Sequence, residues 1–368
     1  MSKPLPPIAG RGAPQNPCPV RTGSLDREVD GDWLDAAGEI DGTPPRLRTT
    51  VTVEHPKPII ARNTSPDIGF DRSINPYRGC EHGCIYCFAR PTHAFHDLSP
   101  GLDFESRLFV KPDAAKLLRQ ELAKRSYKVA PLAIGTNTDG YQPIEREWRI
   151  TRSVVEVLAE TRHPLLITTK SDRLLRDIDL LAQMARENLV GVAISVTTLD
   201  AKLARTLEPR APHPKRRLAA IRALIDAGVP TQVNISPIIP AITDHEIESI
   251  MAAAAEAGAI RASYILMRLH FEVAPLFRAW LAAHYPDRAD KVMHMVQDIR
   301  GGRDNDPSFF SRMKGKGIWP QLIRQRVTRA ARAHGMDQGF PPIRCDLFRP
   351  PDRGGQMELF CPHERKSS

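Results

Sequence analysis

Asn75-Pro76-Tyr77-Arg78-Gly79-Cys80-Glu81-His82-Gly83-Cys84-Ile85-Tyr86-Cys87-Phe88 is the stretch whose reading decides the rest. Three cysteines fall at C-x3-C-x2-C spacing, directly after a strand candidate at Ser73–Arg78. Three thiolates on one short loop can ligate three irons of a cubane, because iron–sulfur clusters use soft sulfur ligands. The fourth iron is then open to another ligand. A zinc knuckle with His82 or His93 as fourth ligand competes with this reading. Structural zinc, however, prefers pairs of ligands from two separate places. Three unrelated buried cysteines are the remaining alternative, and the spacing argues against it.

Downstream of this loop, short apolar runs alternate with amphipathic helices. Strand candidates are Ala133–Gly135, Leu165–Thr168, Val190–Val196, Gln232–Ile235 and Ser263–Met267. They are short and mostly apolar, as strands buried on both faces tend to be. Helices are expected over Arg149–Glu160, Arg173–Glu187 and Lys215–Ala227, the last stopping at Gly228. Thr243 and Glu246 have capping-box spacing ahead of Ile247, Ile250, Met251 and Ala254. Repeated strand–helix units imply a parallel sheet with right-handed crossovers. With Ser73–Arg78 as the first strand there are six units, which predicts an α/β fold, a partial (β/α)6 barrel. Chemistry in such a sheet sits at the C-terminal ends of the strands.

Composition sets the frame around that barrel. The chain has 368 residues and 41% hydrophobic content, enough for one large domain plus an appendage. No apolar run approaches the ~18–20 residues of a membrane span. The Pro-, Gly- and Arg-rich start has no hydrophobic signal segment, so a cytoplasmic protein without membrane contact is expected. Residues 1–55 read as a flexible polar tail, 56–270 as the barrel, 271–345 as a basic, mostly helical extension, and 346–368 as an irregular tail. Six cysteines in a chain this long do not make a disulfide scaffold. The formal net charge of +9 favours an anionic partner, nucleic acid first.

The cysteine loop, with Tyr86 just before its last cysteine, resembles the signature of the radical S-adenosylmethionine (SAM) superfamily. The resemblance implies that SAM's amino and carboxylate groups chelate the open iron of a 4Fe–4S cluster. An electron from a donor such as flavodoxin or ferredoxin then cleaves SAM to a 5′-deoxyadenosyl radical, which takes hydrogen from the substrate. A narrower likeness is to the bacterial DNA repair photolyase-like branch, related to spore photoproduct lyase. Gly135-Thr-Asn-Thr-Asp-Gly-Tyr-Gln-Pro-Ile-Glu145, Leu207-Glu-Pro-Arg-Ala-Pro-His-Pro-Lys-Arg-Arg217 and Ser236-Pro-Ile-Ile-Pro240 carry it, and it extends over residues 56–345. Gly140 departs from that branch, where a proline commonly follows the aspartate.

The resemblance also names candidate SAM contacts. Tyr86 occupies the position near the adenine. Thr138 and Asp139 follow the second strand, where the amino group binds, and a carboxylate or hydroxyl suits an ammonium. Ser195, with Thr197, ends the fourth strand, near the ribose hydroxyls. Arg210 can fork onto the SAM carboxylate, and Lys170 ends the third strand facing the mouth. Each has a plain structural alternative: a turn-initiating aspartate, strand-end hydroxyls, a salt bridge from Arg210 to Glu208.

Residues 300–332 hold nine Lys/Arg against two Asp. The run Arg312-Met-Lys314-Gly-Lys316-Gly and the arginines at 324, 326, 329 and 332 form a candidate phosphate-contacting surface; a solvated helix face is the alternative. Gln356-Met-Glu-Leu-Phe360 resembles the peptide by which bacterial repair and replication proteins dock on the sliding clamp. Cys345, Cys361 and His363 make an incomplete metal set. Spore photoproduct lyases use a cysteine downstream of the cluster as hydrogen donor, and this chain has none between Cys87 and Cys345. Cys345 can substitute only if the C-terminal part folds over the barrel mouth. A zinc- or cluster-stabilised nucleic-acid-binding protein without catalysis is the alternative function.

Overall fold

The structure, a computed structural model, describes residues 10–17, 19 and 47–351. Its strands are β1 (Thr50–Val53), β2 (Ile60–Arg62), β3 (Arg72–Ile74), β4 (Tyr77–Arg78), β5 (Arg107–Val110), β6 (Leu132–Ile134), β7 (Leu165–Thr169), β8 (Val190–Ser195), β9 (Thr231–Ile238) and β10 (Arg261–Leu266). The main sheet runs β10-β9-β8-β7-β6-β3-β2. Its six strands from β3 to β10 are parallel, and β2 is added antiparallel at the edge. This is the expected six-unit partial barrel. Every residue of β8 is buried, because helices cover one face and the barrel interior the other.

The helices that matter for packing are α1 (Ala114–Leu122), α2 (Ile150–Glu160), α3 (Ile178–Ala185), α4 (Pro214–Asp226), α5 (Ile247–Glu256), α6 (Val273–His284), α7 (Ala289–Asp298) and α8 (Ile318–Ala333). Their apolar stripes face the sheet: Val154, Val155 and Leu158 of α2 and Ala220, Ile221 and Leu224 of α4 are fully buried. The extension beyond residue 271 is helical, as its sequence indicates, and α8 packs on α5.

Four local expectations are corrected. The first strand is not continuous over Ser73–Arg78. It ends at Ile74, the chain turns at Asn75-Pro76, and β4 joins a separate sheet of order β1-β5-β4; proline has no N–H with which to continue a ladder. The helix expected over Arg173–Glu187 begins as a 3-10 turn at Asp172–Asp177, with the Ser171 side chain accepting from the Arg173 N–H, before α3 starts. The capping box does not form. The Thr243 hydroxyl accepts from the Ile239 N–H, and the Glu246 carboxylate turns to Thr198 and the Leu199 N–H after β8. Finally, packing begins before residue 56. Thr50–Val53 pairs in parallel with β5, and Arg11, Gly12 and Ala13 are buried.

No ladder joins β2 to β10 among the described residues, so the barrel is open there. One ion pair spans that seam. The Arg312 guanidinium meets Asp67, in the loop after β2, at 2.5 and 2.7 Å, and the Phe310 N–H donates to the same carboxylate at 3.0 Å. These donors hold the Asp67 carboxyl down at about 2. A depressed carboxyl stabilises the fold above its unfolded value of about 4 and loses that contribution as pH falls toward its folded value. Asp67→Asn is therefore expected to lower the melting temperature at pH 7 by about 3–6 °C. The gap from the unmodified protein should close between about pH 4 and pH 2, as thermal scans by circular dichroism would read.

Candidate cluster and cofactor site

The cysteine loop is held from below by one buried guanidinium. Arg90 has no exposed surface and donates to the carbonyls of Gly83, Cys84, Pro100 and Gly101 at 2.9–3.1 Å. Its remaining N–H meets Glu105, also fully buried, at 2.5 Å. Glu105 in turn accepts from the backbone N–H groups of Gly12 and Ala13 at 3.0 and 2.8 Å. The N-terminal segment thus lies against the loop. A Cβ on Gly12 would sit 1.8 Å from the Gly83 carbonyl oxygen, so only glycine allows the approach. On the other side, the Gln142 amide accepts from the Glu81 N–H at 2.8 Å and donates to the Gly79 carbonyl at 3.2 Å.

Cys80 and Cys84 are buried, Cys87 is half-buried, and all three are free thiols. They line one cavity together with His82, Phe88, the segment Gly135–Asp139, the segment Thr168–Lys170, and Ser195. Those segments are the C-terminal ends of β6, β7 and β8, where parallel sheets present their chemistry. Gly135 takes φ +89°, and a Cβ there would strike the Thr168 carbonyl oxygen at 1.8 Å. Glycine therefore lets the chain turn into the cavity.

Burial, with the Asp139 charge, pushes the Cys80 thiol well above its ordinary value. Burial lifts Cys84 to about 12, although Lys170 pulls it the other way. Buried neutral thiols lining a common cavity suit a thiophilic cation that replaces their protons. Among the described residues no three His, Cys, Asp or Glu side chains converge as around a single ion. A cubane asks for something else, since each thiolate binds its own iron. The donor set fits a 4Fe–4S cluster.

Behind the loop lies a second buried cluster of charge. The Glu208 carboxylate accepts from the Tyr86 and Thr197 hydroxyls and pairs with Arg217, all of them buried. Burial raises the Glu208 carboxyl, but Arg217 and then Lys170 outweigh it and hold it at about 2. Lys170 lies with its ammonium 5.7 Å from the centre of the Tyr86 ring. One cation of the cavity is therefore poised between Tyr86, Glu208 and Cys84.

The candidate SAM contacts divide on this geometry. Ser195 lines the cavity, and its carbonyl accepts from Arg217. Thr138 lines it too, with its hydroxyl donating to the Gly79 carbonyl at 2.6 Å. The Asp139 carboxylate accepts from the Thr169 hydroxyl at 2.7 Å, the Lys170 N–H at 2.9 Å and the Tyr141 N–H at 2.9 Å, with His82 3.4 Å away. Tyr86 points its hydroxyl at Glu208. Arg210 pairs with Glu81 at 2.9 Å and not with Glu208. Arg90, Glu105 and Gln142 were not singled out from the sequence. Gln142 and Glu145 do lie in a segment that was, but nothing in local pattern marks a staple formed across fifteen residues.

Cys345 is at the other end of the barrel. The Arg344 N–H donates to Asn188 and the Arg349 N–H to Thr161, which precede β8 and β7. The described C-terminal residues, up to 351, therefore do not fold over the mouth, and Cys345 is not placed there as hydrogen donor. In the basic region, Arg300 is buried and donates to the Leu266, Met267 and Arg312 carbonyls. Arg312 pairs with Asp67 and Arg326 with Glu248. Arg303, Lys314, Lys316, Arg324, Arg329 and Arg332 are exposed. Cys18, Cys361, His363 and Gln356–Phe360 lie outside the described residues.

The radical SAM superfamily profile matches residues 74–254. An uncharacterised protein of Mycobacterium tuberculosis is 38% identical over 260 residues, covering 70% of this chain and 75% of its own length. One from Methanocaldococcus jannaschii is 27% identical over 237 residues, covering 64% and 84%. Among solved structures, spore photoproduct lyase complexed with dinucleoside spore photoproduct aligns over 77% of this chain and 79% of its own, at TM-score 0.56 and 15% identity. The fold and site define a radical SAM enzyme. This chain belongs to the radical SAM superfamily, whose cofactors, a 4Fe–4S cluster and SAM, are its own. The likeness to spore photoproduct lyase is one of fold.

Removing Glu105 leaves Arg90 buried without its carboxylate and two backbone donors unpaired. Glu105→Ala is expected to cost about 3–5 kcal/mol, measured as a shift of the urea midpoint at unchanged slope.

Proposed function

We propose that Cys80, Cys84 and Cys87 hold the cluster, and that the chain abstracts hydrogen from a nucleic-acid or other anionic substrate at the barrel mouth. One observation carries this reading: three free thiols, two of them buried and one half-buried, line one cavity with the C-terminal ends of three parallel strands. When bound, the cluster and SAM supply a reducing electron, taken from a donor such as flavodoxin or ferredoxin, and a radical that takes hydrogen from substrate.

The chain's own residues bind and orient. The Lys170 ammonium is the cavity's cation and suits SAM's carboxylate. Asp139 fixes the Lys170 backbone and so aims that side chain. Ser195 offers its hydroxyl to the polar edges of the cofactor, while the Thr138 hydroxyl, bonded to the Gly79 carbonyl and the Gln142 amide, fixes the wall beside it. Tyr86, clamped by Glu208 and Thr197, presents a fixed ring wall beside the loop. Phe88, 58% exposed on the cavity's rim, would shed water from the mouth once substrate covers it. Arg210, tied to Glu81, stiffens the loop's outer side.

The anionic substrate is supported by the +9 charge and by the exposed cations of residues 303–332. DNA repair is the finer reading, and it rests on the fold alone. Among the described residues, no cysteine beyond the loop lies at the mouth to return a hydrogen atom. Clamp docking through Gln356–Phe360 would bring such an enzyme to replicating DNA.

Anaerobic reconstitution is expected to yield about four irons per chain, with SAM cleaved to 5′-deoxyadenosine on adding dithionite. Cys84→Ala should abolish both. Deuterium should pass into 5′-deoxyadenosine from labelled DNA or RNA and not from labelled peptide. Protein that stays colourless and retains one zinc would instead support the non-catalytic nucleic-acid-binding alternative.

A further inference from the structure

Beside the cluster cavity lies a second, larger one of about 350 Å³. Thr136 and Asn137 line both, so the wall between them is one stretch of backbone thick. Asn75 braces that wall, its side-chain oxygen accepting from the Asn137 N–H at 3.0 Å. One side of the cavity is apolar, made by Pro56, Pro58 and Ile60. The other carries two cations, Arg78 and Lys111.

The two cations are not equivalent. Arg78 forks onto Glu54 at 2.7 and 2.8 Å, so one edge of its guanidinium is already filled by a carboxylate. Lys111 is 7% exposed, and its ammonium donates to the Asn75 carbonyl at 2.9 Å. Among the described residues no carboxylate lies within ion-pair distance of it. A lysine is seldom buried without a counter-charge, because the lost hydration is not returned. Burial, and then Arg78, pull its ammonium down to about 8, with Glu54 only partly offsetting them. An ammonium has three donors, and an anion entering the cavity would satisfy those left over.

We propose that this cavity takes a phosphodiester of a nucleic-acid substrate, with Lys111 as the anion's anchor. Lysine meets a phosphate oxygen as a point charge, and it is the cation of this cavity that no carboxylate already pairs among the described residues. The proline wall offers flat apolar surface to the adjoining sugar or base. The shared wall sets the anchored nucleotide beside the cluster cavity. This inference rests on the proposed function in taking the substrate to be nucleic acid, but it is tested by binding and not by turnover.

The test uses the full chain, anaerobically reconstituted, in equilibrium dialysis at low salt. The probes are a DNA dinucleotide with its phosphodiester and the same dinucleotide with an uncharged methylphosphonate. The charged probe is expected to bind at least about tenfold tighter, and Lys111→Met should erase that preference. The two-probe comparison on unmodified protein keeps the proposal falsifiable if the variant does not fold. Equal binding of both probes, a preference that survives Lys111→Met, or displacement of the charged dinucleotide by an acidic hexapeptide as readily as by itself would each overturn it. If the preference holds while no deuterium moves from nucleic acid to 5′-deoxyadenosine, the pocket stands and the hydrogen-abstraction reading falls.

Discussion

The Arg90–Glu105 pair is the constraint on which the site depends. Three thiols can serve a cluster only if eight residues of loop stay fixed without regular structure to hold them. A loop of this kind carries many backbone carbonyls that no ladder satisfies. Arg90 collects two of them, from Gly83 and Cys84, and ties them with the same planar group to the carbonyls of Pro100 and Gly101, while Glu105 neutralises the charge this puts in the interior. Because Glu105 also takes the Gly12 and Ala13 N–H groups, this N-terminal segment is built into the same staple. Electrostatics this deep stabilises only when every lone pair and proton is matched, and here the matching is what shapes the loop.

Much of the barrel was legible in the sequence, for a definite reason. Strands buried on both faces must be nearly continuously apolar, so Val190–Ser195 stands out against the amphipathic helices around it. The cysteine spacing marks the loop just as directly. Less legible were features set by contacts distant in sequence. Glu246 has capping-box spacing yet is drawn to Thr198 and Leu199, forty-eight and forty-seven residues away. The polar segment around Arg11 has no periodicity, and its burial depends on a carboxylate ninety-odd residues on.

The candidate site shows the same division. Residue type and position relative to the strands placed Thr138, Ser195 and Lys170 on one cavity. Side-chain direction was beyond such reasoning. Asp139 has the chemistry to meet an ammonium, yet its oxygens are taken by Thr169, Lys170 and Tyr141. Arg210 stands two residues from Glu208 and still pairs with Glu81, because Glu208 is buried and already held by Arg217. The basic stretch after residue 300 likewise separates into cations that hold the fold, Arg300 and Arg312, and others that face solvent.

The central claim is that the three thiols grip a cubane and leave one iron to SAM. Electron paramagnetic resonance of the dithionite-reduced, reconstituted protein tests it most directly, with spectra recorded before and after adding SAM. The account predicts a reduced-cluster signal whose g-values shift when SAM binds the open iron. A cluster signal that SAM leaves unchanged, or no cluster signal from protein shown to be folded, would contradict it.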